Sequence, residues 1–326
     1  MNTKQIQKRL KRSSWLVLLL LTVVVGCEKN TVPNYGTNYA IFANPTGASV
    51  SSTEDYLMPK RQYTVAYNSN RLTANWVSWT INRTDLGTSE RQNDFRPDTS
   101  LPAGWYQVKT SDYTNSGFDR GHLCPSADRT ASEEDNSATF LMTNIVPQSP
   151  RLNRFVWANL EEYCRDLVRA GYFVNVLAGV YGKGGEGSLG RKEALSAGVV
   201  IPERMYKLVI AVPSGSNWTA AESIHLVADF PNKETEVQRK DWVRYLTSLT
   251  ELEKRMGKSI QSGLPKEFVQ KWHGDWWDFS DSSVPVSTKC DEYNGQPLYV
   301  GLAGDCFYVE SNGQKKQVDK GLCDCL

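Results

Sequence analysis

The sequence has little histidine, almost no net charge and one extended apolar run. Only three histidines occur in 326 residues, so a side chain that titrates near neutral pH is restricted to His122, His225 and His273. The 37 basic and 36 acidic residues nearly cancel, which excludes strong long-range attraction of a polyanion by the whole chain. The apolar run, at residues 15–26, is too short for a membrane-spanning helix.

This run belongs to a predicted export signal over residues 1–26. Five lysines and arginines precede it, and Cys27 directly follows Val24-Val25-Gly26. A positive segment, a short apolar segment and small residues before a cleavage point are typical of a signal peptide. The junction resembles a bacterial lipobox. The resemblance implies a lipidated Cys27 that anchors an extracytoplasmic protein to a membrane, at the outer membrane or the cell surface. The alternative is an ordinary secretory signal followed by an incidental cysteine.

The rest of the chain divides by composition. Residues 27–55 are rich in Asn, Thr, Ser, Gly and Pro and are predicted to form a tether. A large folded domain is expected over 56–279, a Ser/Pro linker over 280–288 and a small cysteine-rich module over 289–326. Without the signal, 32 basic residues face 36 acidic ones, so phosphate binding would require a local basic patch.

Cysteines are concentrated in this last module. Outside the cytoplasm such a cluster predicts a small fold with at least one disulfide, whose connectivity the sequence leaves open. Zinc binding is the competing interpretation, but no histidine lies among these cysteines and one pair is spaced too tightly for the usual zinc motifs. The four are Cys290, Cys306, Cys323 and Cys325. Cys124 and Cys164 are either a pair or two buried thiols.

Residues 119–122 (Asp-Arg-Gly-His) place one histidine among charged neighbours, and Asn153, Glu161 and Arg165 follow about one hairpin and one helix later. Histidine can take a proton from water near neutral pH, and arginine offers a forked donor for phosphate oxygens. Amide and carboxylate oxygens suit a hydrated hard cation. The combination favours phosphodiester chemistry. The alternative for His122 is a structural histidine whose hydrogen bonds are satisfied.

Apolar periodicity predicts a helix over residues 150–169. On this helix Asn153 falls within the apolar arc, while Glu161 and Arg165 lie at its edge, four residues apart. An amide in that arc needs a partner. Asn153 could instead cap the helix or satisfy a buried carbonyl, and Glu161 and Arg165 could form an exposed ion pair.

The alternation of apolar and polar residues, together with composition, predicts an α+β fold. Its strands and further helices are additional to the helix at 150–169. The aromatic residues of the first hairpin are expected to be core, with a base-stacking platform as the alternative. The Gly-rich run at 182–187 matches a dinucleotide motif by letter, but without a βαβ unit it is interpreted as a flexible loop. His225 and His273 are expected to be structural. The predicted elements are strands at 62–67, 75–81, 172–178, 206–212 and 223–228, helices at 238–255 and 265–272, an irregular functional loop at 86–118 and two short strands in the tail.

Three ordered elements resemble the DNA/RNA non-specific endonucleases, the ββα-metal nucleases. They are Asp-Arg-Gly-His at 119–122, Asn-Ile-Val-Pro-Gln at 144–148, and Asn153 followed by Trp-Ala-Asn-Leu-Glu at 157–161. The four-letter element alone is weak, but all three in this order and spacing are specific. The resemblance covers about residues 57–278. It implies a ββα-metal, or His-Me finger, domain whose central, mostly antiparallel sheet is flanked by helices.

The resemblance further implies a Mg²⁺-dependent, sugar-non-specific endonuclease that cuts DNA and RNA, with Mn²⁺ as a possible substitute. By this resemblance, His122 is the general base, and Arg120 and Glu161 are further catalytic groups. Asn153 is the metal ligand, and Asp119 and Asn144 lie around the metal. Arg165 and Arg91 bind phosphate, with Arg96 as the alternative to Arg91. A decayed nuclease scaffold that only binds, and a small-molecule phosphodiesterase or phosphatase, remain alternatives. The oligomeric state and any inhibitor partner stay open.

The lipobox generates a prediction about Cys27. A fatty-acid probe supplied to the producing cells should label the protein, because the lipid would be attached at this cysteine. The Cys27→Ala variant should lose the label, whereas Cys164→Ala should keep it. Labelling would be read by gel fluorescence of the purified proteins. A Cys27→Ala protein that is still labelled would show that the anchor lies elsewhere or is absent.

Overall fold

The computed structural model describes residues 41–42, 44–214, 223–237, 240–260, 264, 266, 287–301, 305–310 and 314–323. These residues all belong to one unit, Val32–Leu326. The predicted signal peptide, Cys27 and His273 lie outside the described residues, as does nearly all of the predicted helix at 265–272. Within the described ranges, no helix has the length and apolar character needed to cross a membrane.

A six-stranded antiparallel sheet forms the centre of the fold, with strand order β1-β2-β3-β6-β9-β10. Runs of β-branched and aromatic residues favour these strands, and the central ones are covered on both faces. The predicted strands are confirmed, while β1 was missed. The strands are β1 (Tyr56–Pro59), β2 (Thr64–Asn68), β3 (Thr73–Ile81), β6 (Tyr172–Tyr181), β9 (Arg204–Pro213) and β10 (Ile224–Pro231).

Outside this sheet the described ranges include short strands, the α-helices α1 to α3 and several single turns. The strands are β4 (Asp119–His122), β5 (Ile145–Gln148), β7 (Gly185–Gly187) and β8 (Gly190–Lys192). The helices are α1 (Glu133–Ala138), α2 (Ala158–Arg169) and α3 (Leu249–Met256). The 3₁₀ turns are Arg83–Asp85, Thr110–Tyr113, Ser126–Asp128, Met142–Asn144, Trp242–Tyr245 and Lys320–Leu322. Residues 86–118 are otherwise irregular, as predicted.

Each face of the sheet carries its own apolar cluster. One cluster joins α2 to the sheet through residues that include Val156, Trp157, Leu160, Val176 and Val209. The opposite cluster joins α3 to the sheet through residues that include Leu249, Leu252, Leu208 and Ile210. Trp76, Trp79 and Tyr67 are buried in these clusters, so the aromatic residues of the first hairpin are core and not a stacking platform.

The packed structure begins earlier than predicted. Ile41 and Phe42 are buried in the cluster that contains α3, and the Ile41 amide donates to Asn175 Oδ1 at 3.1 Å. The boundary of the tether at residue 55 is therefore wrong, because residues 41–55 contribute to the core. Their polar composition hid this, since a few apolar residues are enough to attach the segment to the sheet.

A ββα unit carries the candidate site. Strands β4 and β5 pair in antiparallel register, with Asp119 opposite Gln148 and His122 opposite Ile145. The helix predicted over 150–169 is confirmed, and it contains a π-helical segment, Leu152–Trp157, before α2. Its predicted apolar stripe is buried against the sheet. This packing places Asn153 and Glu161 on the side of the helix that faces β4 and β9.

Two elements predicted between residues 182 and 255 also differ from the structure. The helix at 238–255 is wrong, because the described part of that range forms the turn Trp242–Tyr245 and then α3. Backbone pairing explains the break, since the Thr247 amide donates to Val227 of β10 and Ser248 caps α3. The loop at 182–187 is also wrong in part, because β7 and β8 form a hairpin there.

The tail forms a four-stranded sheet in the order β11-β12-β13-β14, where two strands were predicted. These strands are β11 (Ser287–Tyr293), β12 (Gln296–Gly301), β13 (Cys306–Val309) and β14 (Lys315–Val318). The predicted disulfide is confirmed as Cys306–Cys323, within a small cluster with Leu298 and Val300. Strand β11 packs beside α2. The α+β fold class with a small cysteine-rich β tail is therefore confirmed.

The Cys306–Cys323 bridge generates a prediction about the tail. The bridge spans 17 residues, and closing a loop of that size contributes on the order of 3 kcal/mol to stability in the chain-entropy model. The Cys306→Ala/Cys323→Ala variant should therefore lose hydrogen-exchange protection in β12 and β13, while β6 and β9 keep theirs. Cys124→Ala is the control, because it removes a thiol but no bridge. Unchanged protection of β12 and β13 would contradict the prediction.

Candidate active site

Strand β4 places Arg120 and His122 on the same face, because alternate residues of a strand project together. Both contact Phe95: the Arg120 guanidinium lies 4.2 Å from the centre of its ring, and the His122 ring lies 5.4 Å from it. Phe140 packs edge-on against His122 at 4.8 Å and carries the Arg91 guanidinium at 4.9 Å. Two phenylalanines therefore hold the histidine between two arginines.

The imidazole of His122 is buried, and its Nε2 has no hydrogen-bond partner among the described residues. Burial lowers the pKa of His122 to about 3, and the positive charges of Arg91 and Arg120 contribute to the shift. The ring is therefore neutral at neutral pH. A buried polar atom without a partner is costly in a structural residue, so this geometry disfavours the structural interpretation of His122.

The two candidate arginines before β4 differ in position. Arg91 donates to Ser126 Oγ at 2.6 Å, and its charge acts on His122. Burial lowers the pKa of Arg91, and the nearby Glu161 carboxylate opposes this shift. Arg96 instead binds Asp94 and the Ser137 carbonyl. The structure therefore places Arg91, and not Arg96, beside the histidine.

Gly121 is required by close packing within the ββα unit. A Cβ atom at this position would overlap the Gln148 carboxamide. Gln148 is fully buried and donates to the Met205 sulfur at 3.2 Å. Glycine at this position leaves beside β4 the space that the buried Gln148 side chain occupies.

The carboxylate of Asp119 orients Asn153. Asn153 Nδ2 donates to Asp119 Oδ2 at 2.8 Å, and Arg154 binds both oxygens of the same carboxylate at 2.8 and 2.9 Å. Neither alternative for Asn153, a helix cap or a partner for a buried carbonyl, is observed. With Nδ2 engaged, Asn153 Oδ1 points away from the carboxylate, and no described residue donates to it.

This donor set fits a cation that keeps most of its waters. Asn153 Oδ1 is a neutral oxygen ligand of the kind that Mg²⁺ accepts, and Asp119 and Glu161 supply carboxylates to the same unit. Among the described residues, no group of three or more His, Cys, Asp or Glu side chains could hold a metal ion by itself. A cation at Asn153 would therefore depend on water for most of its coordination shell.

Glu161 and Arg165 do not form the exposed ion pair considered from the sequence. Glu161 Oε1 accepts from Lys207 Nζ at 2.9 Å. Burial raises the pKa of Glu161, while Lys207 and Arg165 oppose the shift. Arg165 is buried and binds Asp128 Oδ1 at 2.9 Å and Glu162 Oε2 at 2.7 Å. These bonds occupy its guanidinium, so the structure gives less support to Arg165 as a phosphate ligand than to Arg91 or Arg120.

Asn144 was expected to lie around the metal, but its side chain binds backbone groups instead. Its side chain donates to the carbonyls of Cys124 and Thr139 and accepts from the Cys124 amide, with all three distances between 2.8 and 2.9 Å. It therefore fixes the backbone that follows β4, and both the oxygen and the nitrogen of its carboxamide are engaged in these hydrogen bonds. Cys124 and Cys164 are two free, buried thiols. His225 is buried with Ser223 Oγ 2.6 Å from its Nε2, as expected for a structural histidine.

Sequence reasoning missed three residues of the site. Arg154 follows Asn153 directly but gave no periodic signal. Asp128 lies in a short turn, and its carboxylate binds Trp79 and Arg165, which are 49 and 37 residues away in sequence. Lys207 could have been found, since a single charged residue in the apolar strand 206–212 is unusual for a fully covered strand.

Comparisons with known proteins agree with this geometry. The family model of the DNA/RNA non-specific endonucleases matches residues 43–267. A nuclease of Nostoc sp. is 41% identical over 261 residues, which is 76% of this chain and 92% of the relative. Human mitochondrial endonuclease G is 37% identical over 125 residues, covering 38% of this chain and 42% of its own length. A solved chain of an EndoG/EndoGI complex has a TM-score of 0.55 at 19% identity, over 65% of this chain and 88% of that one, which supports the ββα-metal fold.

The environment of His122 generates a prediction about its titration. Because burial and two arginines lower its pKa from 6.5 to about 3, the imidazole should stay neutral while the pH falls through the ordinary histidine range. Heteronuclear NMR of the ring nitrogens can follow this, since His122→Gln identifies the signal among three histidines. The Arg91→Gln variant should titrate at a higher pH than the wild type. A wild-type midpoint near 6.5 would contradict the burial of the ring.

Proposed function

The chain belongs to the DNA/RNA non-specific endonuclease family, and we propose that it is a Mg²⁺-dependent endonuclease that hydrolyses phosphodiester bonds of both DNA and RNA. We further propose that it is exported and anchored to a membrane through a lipid on Cys27. Membership in this family makes the chain a nucleic-acid hydrolase. The cation, the breadth of substrates and the location are the proposed parts.

The observation that carries the proposal is the unpaired Nε2 of His122, held between Arg91 and Arg120. A neutral imidazole nitrogen can accept a proton from a water molecule that attacks phosphorus. Two arginines beside it can bind the phosphoryl oxygens on which charge develops. The proposed base and the proposed phosphate-binding arginines thus occur together on β4 and the loop before it.

Binding of a phosphodiester should raise the pKa of His122. The pKa of His122 is held low partly by the charges of Arg91 and Arg120, and a bound phosphate would offset those charges. The histidine would then become a stronger base when a phosphodiester lies beside it. This coupling explains how an imidazole with such a low pKa in the free protein can act in catalysis.

The proposed cation is Mg²⁺, with Mn²⁺ as a possible substitute. Asn153 would hold it through Oδ1, because Nδ2 is engaged with Asp119, and Asp119 and Glu161 would bind its water molecules. When bound, such a cation stabilises negative charge on phosphate oxygens. Both of these carboxylates are already held by basic side chains, Asp119 by Arg154 and Glu161 by Lys207.

Recognition of the nucleic-acid backbone explains activity on two polymers. Arginines that bind phosphate oxygens read no base and no 2′-hydroxyl, so they do not distinguish DNA from RNA. The small-molecule alternative would require a closed pocket around His122. A cavity of about 570 Å³ does occur, but it is lined by Arg83, Glu162, Arg165 and Arg169 among others, and His122 is not among them.

Digestion of plasmid DNA and of RNA tests the proposal. Residues 28–326 should cut both polymers with Mg²⁺ and neither with a chelator. His122→Ala should lower the rate by at least about 10²-fold, the lower end of what a positioned general base contributes, and Asn153→Ala should abolish activity. Arg96→Ala is the matched control, since Arg96 lies in the same loop without contacting the histidine. Nucleic-acid binding by His122→Ala should persist.

The rival functions predict other results. A decayed scaffold would bind both polymers without cutting either, and a small-molecule enzyme would hydrolyse a chromogenic phosphodiester but leave the polymers intact. Cleavage by His122→Ala at the wild-type rate would remove His122 from the mechanism, provided that the melting temperatures of the two proteins agree.

A further inference from the structure

Lys207 is a buried cation that none of the motifs includes. It lies in the middle of β9, where 1% of its side chain is exposed, and its neighbours along the strand are Tyr206 and Leu208. A lysine in such a position is rare unless its charge is paired, because an unpaired ammonium group is strongly disfavoured in an apolar interior. The position of Lys207 therefore calls for a specific reason.

The sheet is shaped to let this side chain reach the helix. In the registers of β9 with its two neighbours, Lys207 stands opposite Ala178 of β6 and Ala228 of β10. Both alanines are fully buried on the face that packs against α2. Because alanine side chains are short, they leave a channel beside Lys207 in which its four methylene groups can extend away from the sheet.

The end of this channel lies at the candidate site. Lys207 Nζ is 2.9 Å from Glu161 Oε1 and 3.9 Å from the centre of the Trp157 ring. The indole of Trp157 in turn donates to the His122 carbonyl at 3.2 Å. The ammonium group is thus fixed from two directions, by a carboxylate and by the face of an aromatic ring.

The two oxygens of Glu161 have different surroundings. Oε1 is bound to Lys207, whereas no described residue donates to Oε2, and 13% of the Glu161 side chain remains exposed. A lysine on one oxygen fixes the rotamer of the carboxylate and leaves the other oxygen free to accept from water. Burial disfavours the ionised form of Glu161, and the charge of Lys207 opposes that effect.

We propose that Lys207 is a positioning residue of the nuclease: held between Ala178, Ala228 and the Trp157 ring, it orients Glu161 so that its free oxygen binds the water shell of the divalent cation. The inference deepens the proposed function and rests on it. In this role Lys207 contacts neither substrate nor cation, and it acts on the cation site through Glu161.

Two readouts test this role in the full mature chain. The first is the Mg²⁺ concentration that gives half-maximal cleavage, measured separately from the maximal rate. The second is Mn²⁺ binding without nucleic acid, followed by electron paramagnetic resonance. For Lys207→Met both should weaken about tenfold or more, since partners of groups around a metal commonly contribute 10–100-fold to affinity. In a Glu161→Gln background, Lys207→Met should add no further loss.

Lys60→Met is the matched control. Lys60 is a second lysine paired with a buried carboxylate, 2.7 Å from Asp98, and it lies outside the candidate site. Its loss should lower the melting temperature but leave the Mg²⁺ requirement and Mn²⁺ affinity unchanged. If Lys207→Met does not fold, Lys207→Arg takes its place, because a planar guanidinium keeps the charge but cannot occupy the position of the ammonium group.

Three results would overturn the proposal: wild-type cation dependence in the Lys207 variant, an equal shift in Lys60→Met, or losses from Lys207→Met and Glu161→Gln that multiply independently. The Mn²⁺ measurement separates this inference from the proposed function. A wild-type protein that cuts no nucleic acid would end the nuclease proposal, whereas Mn²⁺ affinity that depends on both Lys207 and Glu161 would still support the role of Lys207.

Discussion

The indole of Trp157 joins the elements on which the site depends. Its Nε1 donates to the His122 carbonyl in β4, and its face receives the Lys207 ammonium group from β9. Its ring also packs against Phe230 of β10 in a T-shaped arrangement, with 5.9 Å between the ring centres. A large aromatic side chain with one directed donor can bury much apolar surface and still fix a polar partner. The position of the β4 backbone relative to the sheet and the helix therefore depends strongly on this one residue.

The buried carboxylates of Asp128 and Glu161, which lie near Trp157, are both paired. Asp128 binds Arg165 and the Trp79 indole, and Glu161 binds Lys207. Such pairs contribute little net stability, because desolvation opposes their attraction, but losing one partner leaves an uncompensated charge. In contrast to these paired carboxylates, the buried Nε2 of His122 has no hydrogen-bond partner among the described residues. Its surroundings keep the imidazole neutral, so Nε2 is able to accept a proton, and they also keep it a weak base until the charges of Arg91 and Arg120 are offset.

Much of the fold followed from local patterns, but the network around Glu161 did not. Alternation predicted β2, β3, β6, β9 and β10, and the apolar stripe predicted the helix at 150–169. Helical spacing suggested Arg165 as the partner of Glu161, four residues away. The observed partner, Lys207, is 46 residues away, and only the register of β9 against β6 and β10 brings it there. The tether boundary failed for a related reason, since Ile41 and Phe42 are buried by distant residues.

The π-helical segment Leu152–Trp157 shows why helical periodicity in the sequence does not give the positions of the site residues. A regular α-helix would place residues 153 and 157 on nearly the same line, whereas a wider turn changes the angle between them. Here Asn153 binds the Asp119 side chain while Trp157 binds the His122 carbonyl, so the segment meets both ends of β4. These partners lie 34 and 35 residues away in sequence, so helical periodicity carries no signal for either contact. The orientation of the Asn153 amide therefore depends on β4 as much as on its own helix.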